Sequence, residues 1–330
     1  MAGMTLTQTG GFADSIYGKS AAPIAMVLEQ GLEAFELSST YDKIFSVRTS
    51  RHYAEKMAAL SAMGNFEPVG ENGAHPVTDM SEVFDKTIEH MTWKSRFNIS
   101  REMVDDAQLD LMRLRASKFT QAYGRTREEF AGALLGGATG DSIKFSGKTF
   151  STLSADGVPM FSKAHPNFYN SKKTQSNLFA GAFDVDALAE LETRMQNFIG
   201  DKDEILGLVP DTIIIPNVGS LKKDVFATIG ADKDPATANN GFNFEFGRWN
   251  VIINPYWRVT GTDKPFILMD SKFNDLDGSA VWFDRVNLEV KAFVDNNTDG
   301  AVYDGYARWG AGFNNWRGML MGGVTGGTAL

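Results

Sequence analysis

The sequence contains no cysteine, which excludes disulfide bonds, thiol catalysis and cysteine-ligated zinc sites. It also contains no stretch that approaches the roughly 18 uninterrupted apolar residues of a membrane span. The N-terminus lacks the basic region followed by an apolar run that a secretory signal requires. These absences predict a protein that is cytosolic when it is made and that has no membrane partner.

The sequence has fewer basic than acidic residues. The chain has 32 Lys and Arg residues against 41 Asp and Glu residues, so its formal net charge at pH 7 is -9. A dedicated nucleic-acid binder needs a basic patch that neutralises phosphates. The charge balance therefore disfavours tight DNA binding. It does not forbid association between acidic copies, because at physiological salt charges more than about 8 Å apart are largely screened.

Two ligand-binding motifs begin in the sequence, but neither is complete. Gly18-Lys19-Ser20 ends like a phosphate-binding loop, yet Ala13 occupies the position of the required first glycine. The run from Asp295 to Gly300 matches the first half of an EF-hand calcium loop, yet Tyr306 replaces the bidentate glutamate. We predict no nucleotide site and no metal site. We interpret the second run as a polar turn between two long strands, at about 281–294 and 301–310, and a short buried strand is predicted at 212–215.

The sequence shows no complete catalytic constellation. Its four histidines, His52, His75, His90 and His165, have no common spacing. No Gly-x-Ser-x-Gly nucleophile elbow occurs. A carboxylate cluster at 201–204 has no paired base, and such clusters are usually solvated. We therefore predict that the protein is not an enzyme and has no catalytic residue and no cofactor.

The first hundred residues predict an arm followed by an extended loop. Residues 1–43 are weakly patterned and contain one apolar helical candidate, at 24–37. Residues 44–99 contain two extended stretches around a tip at 68–76, which combines two prolines with an Asn-Gly turn signal. Residues 53–63 are equally compatible with a helix on propensity alone.

A long helix is predicted to follow this loop. Ser100 is placed to cap it, because its side-chain oxygen can accept from the free amides of the first turn. The Gly136-Gly137 pair ends the pattern. At about 1.5 Å per residue, a helix over about 100–136 would span roughly 50 Å and act as a spine. Its apolar stripe is predicted to begin with Val104, Ala107, Leu111 and Leu114.

Five segments of the second half carry a family resemblance through their order and spacing, although each reads alone as a turn or a short strand. They are Asp156–Asn167, Ile213–Asn217, Ile253–Tyr256, Phe266–Asp270 and Trp316–Gly318. Over about residues 40–322 the chain resembles the major capsid (major head) protein of tailed bacteriophages, most closely the Mu-like head-subunit group. The herpesvirus capsid floor and cellular encapsulins share that family's fold.

The resemblance implies an α+β fold with an N-terminal arm, an extended two-stranded loop, a peripheral domain that contains the spine helix, and an axial domain. The implied boundaries are 1–43 for the arm, 44–99 for the loop, 100–182 with 281–310 for the peripheral domain, and 183–280 with 311–330 for the axial domain.

The implied function is to self-assemble through hexamers and pentamers into an icosahedral head that encloses double-stranded DNA. The implied partners are further copies of the chain, a portal protein, a separate scaffolding protein, a possible decoration protein, and packaged DNA bound without sequence specificity. A separate scaffolding protein is expected because no coiled-coil segment precedes the arm. The implied location is the virion, after assembly in the host cytoplasm. No lysine occurs at 68–79, so the isopeptide cross-link of some relatives is not expected.

Met91, Trp93 and Phe97 are the candidate inter-subunit contacts. They fall on one face of the return stretch of the loop. Lys86, His90, Lys94 and Arg96 fall on the other face, which is predicted to be solvated. A two-stranded ribbon is too thin to bury large apolar side chains by itself. We therefore predict that these three residues contact a neighbouring subunit or the spine helix.

Two other functions stay open on the sequence. An encapsulin-like cellular compartment that holds protein cargo would share the fold and differ only in its contents. An enzyme or carbohydrate-binding protein could use the aromatic residues of the C-terminal half, although aromatic residues at strand spacing are more often core.

Overall fold

The computed structural model describes residues 4–9, 12–60, 66, 68–71, 73–75, 77, 81–230, 243, 245–259 and 261–328. The helices are α1 (Gly18–Ser38), α2 (Tyr41–Ile44), α3 (Arg101–Asp105), α4 (Leu109–Gly136), α5 (Val185–Gln196), α6 (Gly219–Ile229) and α7 (Ser271–Asp277). The strands are β1 (Thr5–Gln8), β2 (Ser46–Thr49), β3 (Ala54–Leu60), β4 (Glu82–Glu89), β5 (Met91–Ile99), β6 (Ser142–Phe145), β7 (Lys148–Ser151), β8 (His165–Pro166), β9 (Thr174–Gln175), β10 (Thr212–Pro216), β11 (Asn250–Asn254), β12 (Phe266–Met269), β13 (Ala280–Asp295), β14 (Gly300–Phe313) and β15 (Met319–Gly322).

A five-stranded sheet is built around the long antiparallel hairpin of β13 and β14. Its order is β1-β13-β14-β5, and β2 also pairs with β13. The two parallel neighbours of β13 pair with different halves of that strand, β2 before and β1 after the register shifts that the β13–β14 ladder shows between Asp284 and Glu289. The sequence-predicted strands at 281–294 and 301–310 lie within β13 and β14.

A four-stranded sheet forms the second body of strands, in the order β11-β10-β12-β15. Strand β10 is buried at every residue, which explains why its sequence is continuously apolar rather than alternating. The chain reaches β15 directly after β14 through one turn of 3-10 helix at Trp316–Gly318. The last strands therefore join the two sheets within a few residues.

Helices α1 and α4 pack against each other and against one face of the larger sheet. Their close approach depends on small residues, because a Cβ atom at Gly124 would lie 2.3 Å from the Phe35 ring. The buried core beneath them contains Ile24 and Leu28 from α1, Phe119 from α4, and Tyr303 from β14.

The predicted spine helix is interrupted. Ser100 does cap a helix, with its side chain accepting from the Met103 amide at 3.4 Å, but that helix ends at Asp105. Ala107 then takes a left-handed conformation with φ of 54°, and α4 begins at Leu109. The break resets the helical phase. The predicted stripe was therefore wrong at Ala107, Leu111 and Leu114, which are exposed. The buried stripe starts at Met112, Ala116 and Phe119.

The extended loop contains a two-stranded ribbon of β3 and β4, paired from Ala54↔Glu89 to Leu60↔Glu82. The helical alternative for residues 53–63 was wrong over the part that the structure describes, because 54–60 form β3. Residues 61–63 lie outside the described residues. The return stretch is not one strand of this ribbon throughout, because it breaks at His90. Beyond His90, β5 leaves the ribbon and pairs with β14 in the larger sheet. The predicted tip at 68–76 lies partly outside the described residues.

Candidate functional site

Trp93 on β5 packs onto the chain's own core. Its ring stacks on Trp309 of β14, with centroids 4.7 Å apart and planes 7° from parallel. On the helix side it contacts Phe130 of α4 at 5.6 Å. The position of β5 beside β14 therefore determines the contacts of Trp93.

Phe97 and Met91 lie on the same side of β5. The Phe97 ring stacks on Tyr303 at 4.7 Å and contacts Phe119 of α4 at 5.1 Å. The Met91 sulfur lies 3.9 Å from the Lys148 ammonium. Trp93 and Phe97 thus contact the spine helix, one of the two neighbours that the sequence predicted. All three side chains are half-buried in the single chain, and their contact with a neighbouring subunit stays a prediction.

The opposite face of β5 carries two cations, of which Arg96 is paired with a carboxylate of the same chain. Arg96 forms a bidentate pair with Asp304, and its Nη2 lies 2.8 Å from Oδ2. Lys94 lies over the Tyr306 ring at 5.7 Å. Lys86 lies on β4 instead and donates to Ser151 at 3.0 Å. These cations therefore do not form the single basic strand face that the sequence pattern suggested.

A buried polar cluster holds the first of the resemblance segments against the last. His165 places Nδ1 2.7 Å from Asp156 and Nε2 3.0 Å from the Asn177 side-chain oxygen. Its ring stacks on Trp316 at 4.3 Å. Although burial acts in the opposite direction, the hydrogen bond with His165 lowers the pKa of Asp156 below its usual value. Both ring nitrogens of His165 lie within hydrogen-bond distance of buried side-chain oxygens. The histidine therefore has a structural role.

Arg317 extends this cluster to the 201–204 carboxylates. Its Nη2 lies 2.9 Å from Asp201, and both side chains are buried. Asn167 donates to the Asp201 carbonyl at 3.0 Å. The expectation of a solvated cluster was therefore wrong for Asp201, although Asp203 is exposed and pairs with Lys173.

Arg127 on α4 is a buried cation that sequence reasoning missed. Its Nη2 contacts both Asp284 oxygens, at 2.9 and 2.7 Å, and only 2% of the side chain is exposed. Its guanidinium lies over the rings of Tyr41 at 4.7 Å, Trp282 at 5.0 Å and Trp309 at 5.3 Å. Burial raises the pKa of Tyr41, although the nearby Arg127 acts in the opposite direction. The cluster ties the spine helix to the register shift of β13.

His90 lies at the base of the ribbon, where β4 ends and β5 begins. Its Nε2 lies 2.8 Å from the Ser50 hydroxyl, which also contacts Glu55 at 2.5 Å. The histidine that the pattern placed on the solvent face is buried. Burial lowers its pKa, while Glu55 acts in the opposite direction. The arrangement is not a nucleophilic triad, because the carboxylate contacts the serine rather than the imidazole and Ser50 is itself buried.

The two incomplete motifs serve local structure. Asp295 accepts from the Asn297 amide at 3.0 Å and from the Thr298 hydroxyl at 3.1 Å, so it holds the turn between β13 and β14. Gly18 is the first residue of α1, and its Cβ position would lie 2.0 Å from the Ala13 carbonyl. Within the described ranges, no three His, Asp or Glu side chains gather as a metal-binding group. The helices described there include none that is long and apolar enough to cross a bilayer.

A family model described as phage capsid protein matches residues 84–321. No curated protein matches the chain. A solved chain from Mycobacterium phage Adephagia is similar at a TM-score of 0.50 and 15% identity, covering 88% of this chain and 90% of that one. A chain of the capsid structure of the cyanophage P-SCSP1u is similar at a TM-score of 0.50 and 8% identity, covering 88% of each chain. At these identities the two likenesses concern the fold alone.

Proposed function

Because the chain belongs to the phage capsid protein family, a family of structural proteins rather than enzymes, we propose that its copies assemble through hexamers and pentamers into an icosahedral head that encloses double-stranded DNA. The match over residues 84–321 carries this proposal. It includes most of β4, the spine helix, strands β5, β13 and β14 of the larger sheet, and nearly all of the four-stranded sheet.

The described architecture supports this function because some of its elements have surfaces that stay exposed to solvent in a single chain. The ribbon of β3 and β4 is a separate two-stranded sheet, which is marginal in water unless something packs on it. Phe66 and Val77, beyond its paired residues, are 99% and 89% exposed. Neighbouring subunits that bury such surfaces would stabilise the subunit by mass action. Stability and assembly would then be linked.

The domain boundaries follow as part of the same proposal. Residues 1–43 would act as the arm and 44–99 as the extended loop. The spine and the β13–β14 hairpin would form the peripheral domain, and the four-stranded sheet would lie in the axial domain near the symmetry axes. The order of the five resemblance segments supports a place in the Mu-like head-subunit group.

The partners in this proposal are further copies of the chain, a portal protein, a separate scaffolding protein and a possible decoration protein. DNA would be enclosed rather than bound, which the acidic net charge of the chain and the pairing of Arg96 with Asp304 support. The protein would act in the virion capsid after assembly in the host cytoplasm.

Sedimentation of the purified protein tests the assembly proposal directly. We expect pentamers, hexamers or closed shells at assembly concentrations and salt, and particles from an infected host should contain DNA. A compact 36.2 kDa species alone would contradict the proposal. Particles that enclose protein cargo and no DNA would favour a cellular compartment.

The half-exposed surface of Met91, Trp93 and Phe97 is our proposed inter-subunit contact. Met91→Glu tests it with little risk to folding, because Lys148 lies beside the introduced carboxylate. We expect normal soluble subunit but reduced shell yield, measured as the ratio of particle to subunit on a gradient. Thr92→Glu, on the exposed opposite face, is the matched control and should assemble normally. Equal yields from the two variants would contradict the contact.

A further inference from the structure

The spine helix α4 has a basic outer face, although the net charge of the chain is -9. Its exposed charged side chains are Arg113, Arg115, Lys118 and Arg125, against the one carboxylate of Asp110. Arg113 lies 3.9 Å from Asp110, and Arg115 donates to the Asn98 carbonyl at 2.6 Å. The two cations further along the helix have no carboxylate partner within the described residues. Their charge is therefore available to a second molecule.

Lys118 and Arg125 share one side of α4 with two exposed leucines. This surface, which we call the basic stripe, consists of Leu111, Leu114, Lys118 and Arg125 and covers about a quarter of the helix circumference. Leu111 is 40% exposed and Leu114 is 51% exposed. Lys118 donates to the neutral Gln121 side chain at 3.1 Å, and Arg125 has no hydrogen bond or ion pair within the part of the chain that the structure describes. The stripe thus combines two unpaired positive charges with uncovered apolar surface.

Helix α1 carries a stripe of the opposite charge. This surface, which we call the acidic stripe, consists of Met26, Glu29, Glu33 and Leu37 and also covers about a quarter of the helix circumference. Met26 is 59% exposed and Leu37 is 82% exposed. Both carboxylates are exposed, and neither has an ion pair among the described residues. Glu29 and Glu33 are one turn apart, a like-charge spacing that destabilises an isolated helix. The carboxylates therefore do not serve the stability of α1 itself.

The acidic stripe faces away from α4 of its own chain. Gly31 of α1 lies against Thr120 of α4, and one turn later Phe35 lies against Gly124. Gly31 and Phe35 are each two positions away from a residue of the acidic stripe. Residues two positions apart lie on nearly opposite sides of an α-helix, because each residue turns the helix by about 100°. Only a second molecule can therefore bring an acidic stripe onto a basic stripe.

We propose that the acidic stripe of one copy binds the basic stripe of a second copy. The two surfaces are opposite in charge, and each adds exposed apolar side chains whose burial strengthens ion pairs that are individually weak. Each subunit carries one stripe of each kind, so the contact is head-to-tail. Contacts of this kind close into a ring when the rotation between copies allows it. The inference rests on the proposed shell function, because it names a surface through which the copies meet.

Charge reversal in the full-length subunit tests this contact, with the Kd of self-association measured by sedimentation at low salt. We expect Lys118→Glu with Arg125→Glu to weaken association by about tenfold or more, because the acidic stripe would then meet like charges. Glu29→Lys with Glu33→Lys should weaken it to a similar extent for the same reason. High salt should weaken association of the unchanged protein, since exposed charges are screened. An unchanged subunit that stays monomeric at low salt would overturn the contact.

An equimolar mixture of the two reversed variants separates a contact between copies from an effect within one chain. Every contact between unlike variants in the mixture joins opposite charges, so we expect association to recover. Mixing cannot repair a defect inside a subunit, and a mixture without recovery would overturn the proposal. Lys163→Glu with Lys172→Glu, at exposed sites outside both helices, changes the net charge by the same amount as the α4 variant. This control should associate as the unchanged protein does.

The remaining outcomes distinguish this contact from the proposed shell function. If the α4 variant does not fold, Lys118→Gln with Arg125→Gln takes its place and should weaken association less strongly. Loss of association in the α4 variant but not in the α1 variant would mean that the basic stripe binds another acidic surface, and the assignment to α1 would be wrong. Normal shells from both reversed variants would overturn the contact and leave the shell function in place. Association that recovers in the mixture, without shells from the unchanged protein, would support the contact and contradict the shell function.

Discussion

At the scale of single residues, the buried ionic groups are the features that the sequence predicted least well. Arg127 falls within the apolar stripe of a helix, and its partner Asp284 lies 157 positions further along the chain. Hydrophobic periodicity marks which face is buried but carries no information about which charge meets which. The one local signal was an arginine on the same helical face as Phe119 and Phe130, where a solvated charge would not be expected.

Arg127→Met should destabilise the subunit by about 3–5 kcal/mol, because Asp284 would be left buried without its partner. Urea unfolding of the unassembled subunit measures this loss. The double variant Arg127→Met with Asp284→Asn should recover part of it, since the unpaired charge is removed. Arg125→Met, at an exposed position two residues away, is the control and should change stability by less than about 0.5 kcal/mol. A similar small effect at Arg127 would contradict the importance of the pair.

His90 makes the stability of the chain depend on pH. Burial lowers its pKa in the folded chain, and Glu55 and Asp284 oppose this while Arg285 and Arg308 reinforce it. The unfolded chain therefore binds the proton more readily, with a pKa of about 6.5. Stability is retained above that value and falls as the pH drops below it.

The measurement for His90 is the free energy of unfolding between pH 7 and about 5.5, a window set by the unfolded pKa. His90→Gln should flatten the decline in this range. His75→Gln, at an exposed site, should keep it. An unchanged slope in the His90 variant would exclude this histidine as the cause.

At the scale of elements, the periodicity of the sequence predicted the type and position of several strands but not which strand each one pairs with. The buried strand β10, the turn between β13 and β14 and the extended return stretch of the loop all follow from local pattern, whereas the pattern left β3 open between a strand and a helix. The partner of β5 does not, because alternation assigns a face to each side chain and leaves the neighbouring strand open. For the same reason Trp93 and Phe97 were correctly placed on one face, while the sheet that supports them was not foreseen.

Helix propensity did not predict the break in the spine helix either, because the break is at Ala107 and alanine is the best helix former. Ala107→Gly should stabilise the subunit by about 0.5–1 kcal/mol, because glycine adopts a positive φ without steric cost. Ala34→Gly, at an exposed position inside α1, should instead cost about 1 kcal/mol. Thermal unfolding of both variants provides the comparison, and destabilisation by Ala107→Gly would argue for a continuous helix in solution.

At the scale of the whole molecule, enclosure rather than binding accounts for the proposed relation to DNA. The net charge of the chain is -9, and Arg96 on the larger sheet is paired with Asp304. Isolated subunits should therefore bind duplex DNA no better than about 10⁻⁴ to 10⁻⁶ M, with strong salt dependence. A gel-shift titration that gave nanomolar affinity at physiological salt would refute this.

The pairing of β1 with β13 has a consequence for the timing of folding. The Thr9 hydroxyl donates to the Ala292 carbonyl, 283 residues away. A ribosome adds roughly 5–20 residues per second, so the emerging β1 strand waits roughly 15–60 s for its partner. For the later part of that interval, after Gly136 has been added, α1 and α4 are both synthesised, and the apolar side that they later pack against the sheet is uncovered. The nascent chain therefore completes its larger sheet only after synthesis is nearly over, and it is most exposed to aggregation before then.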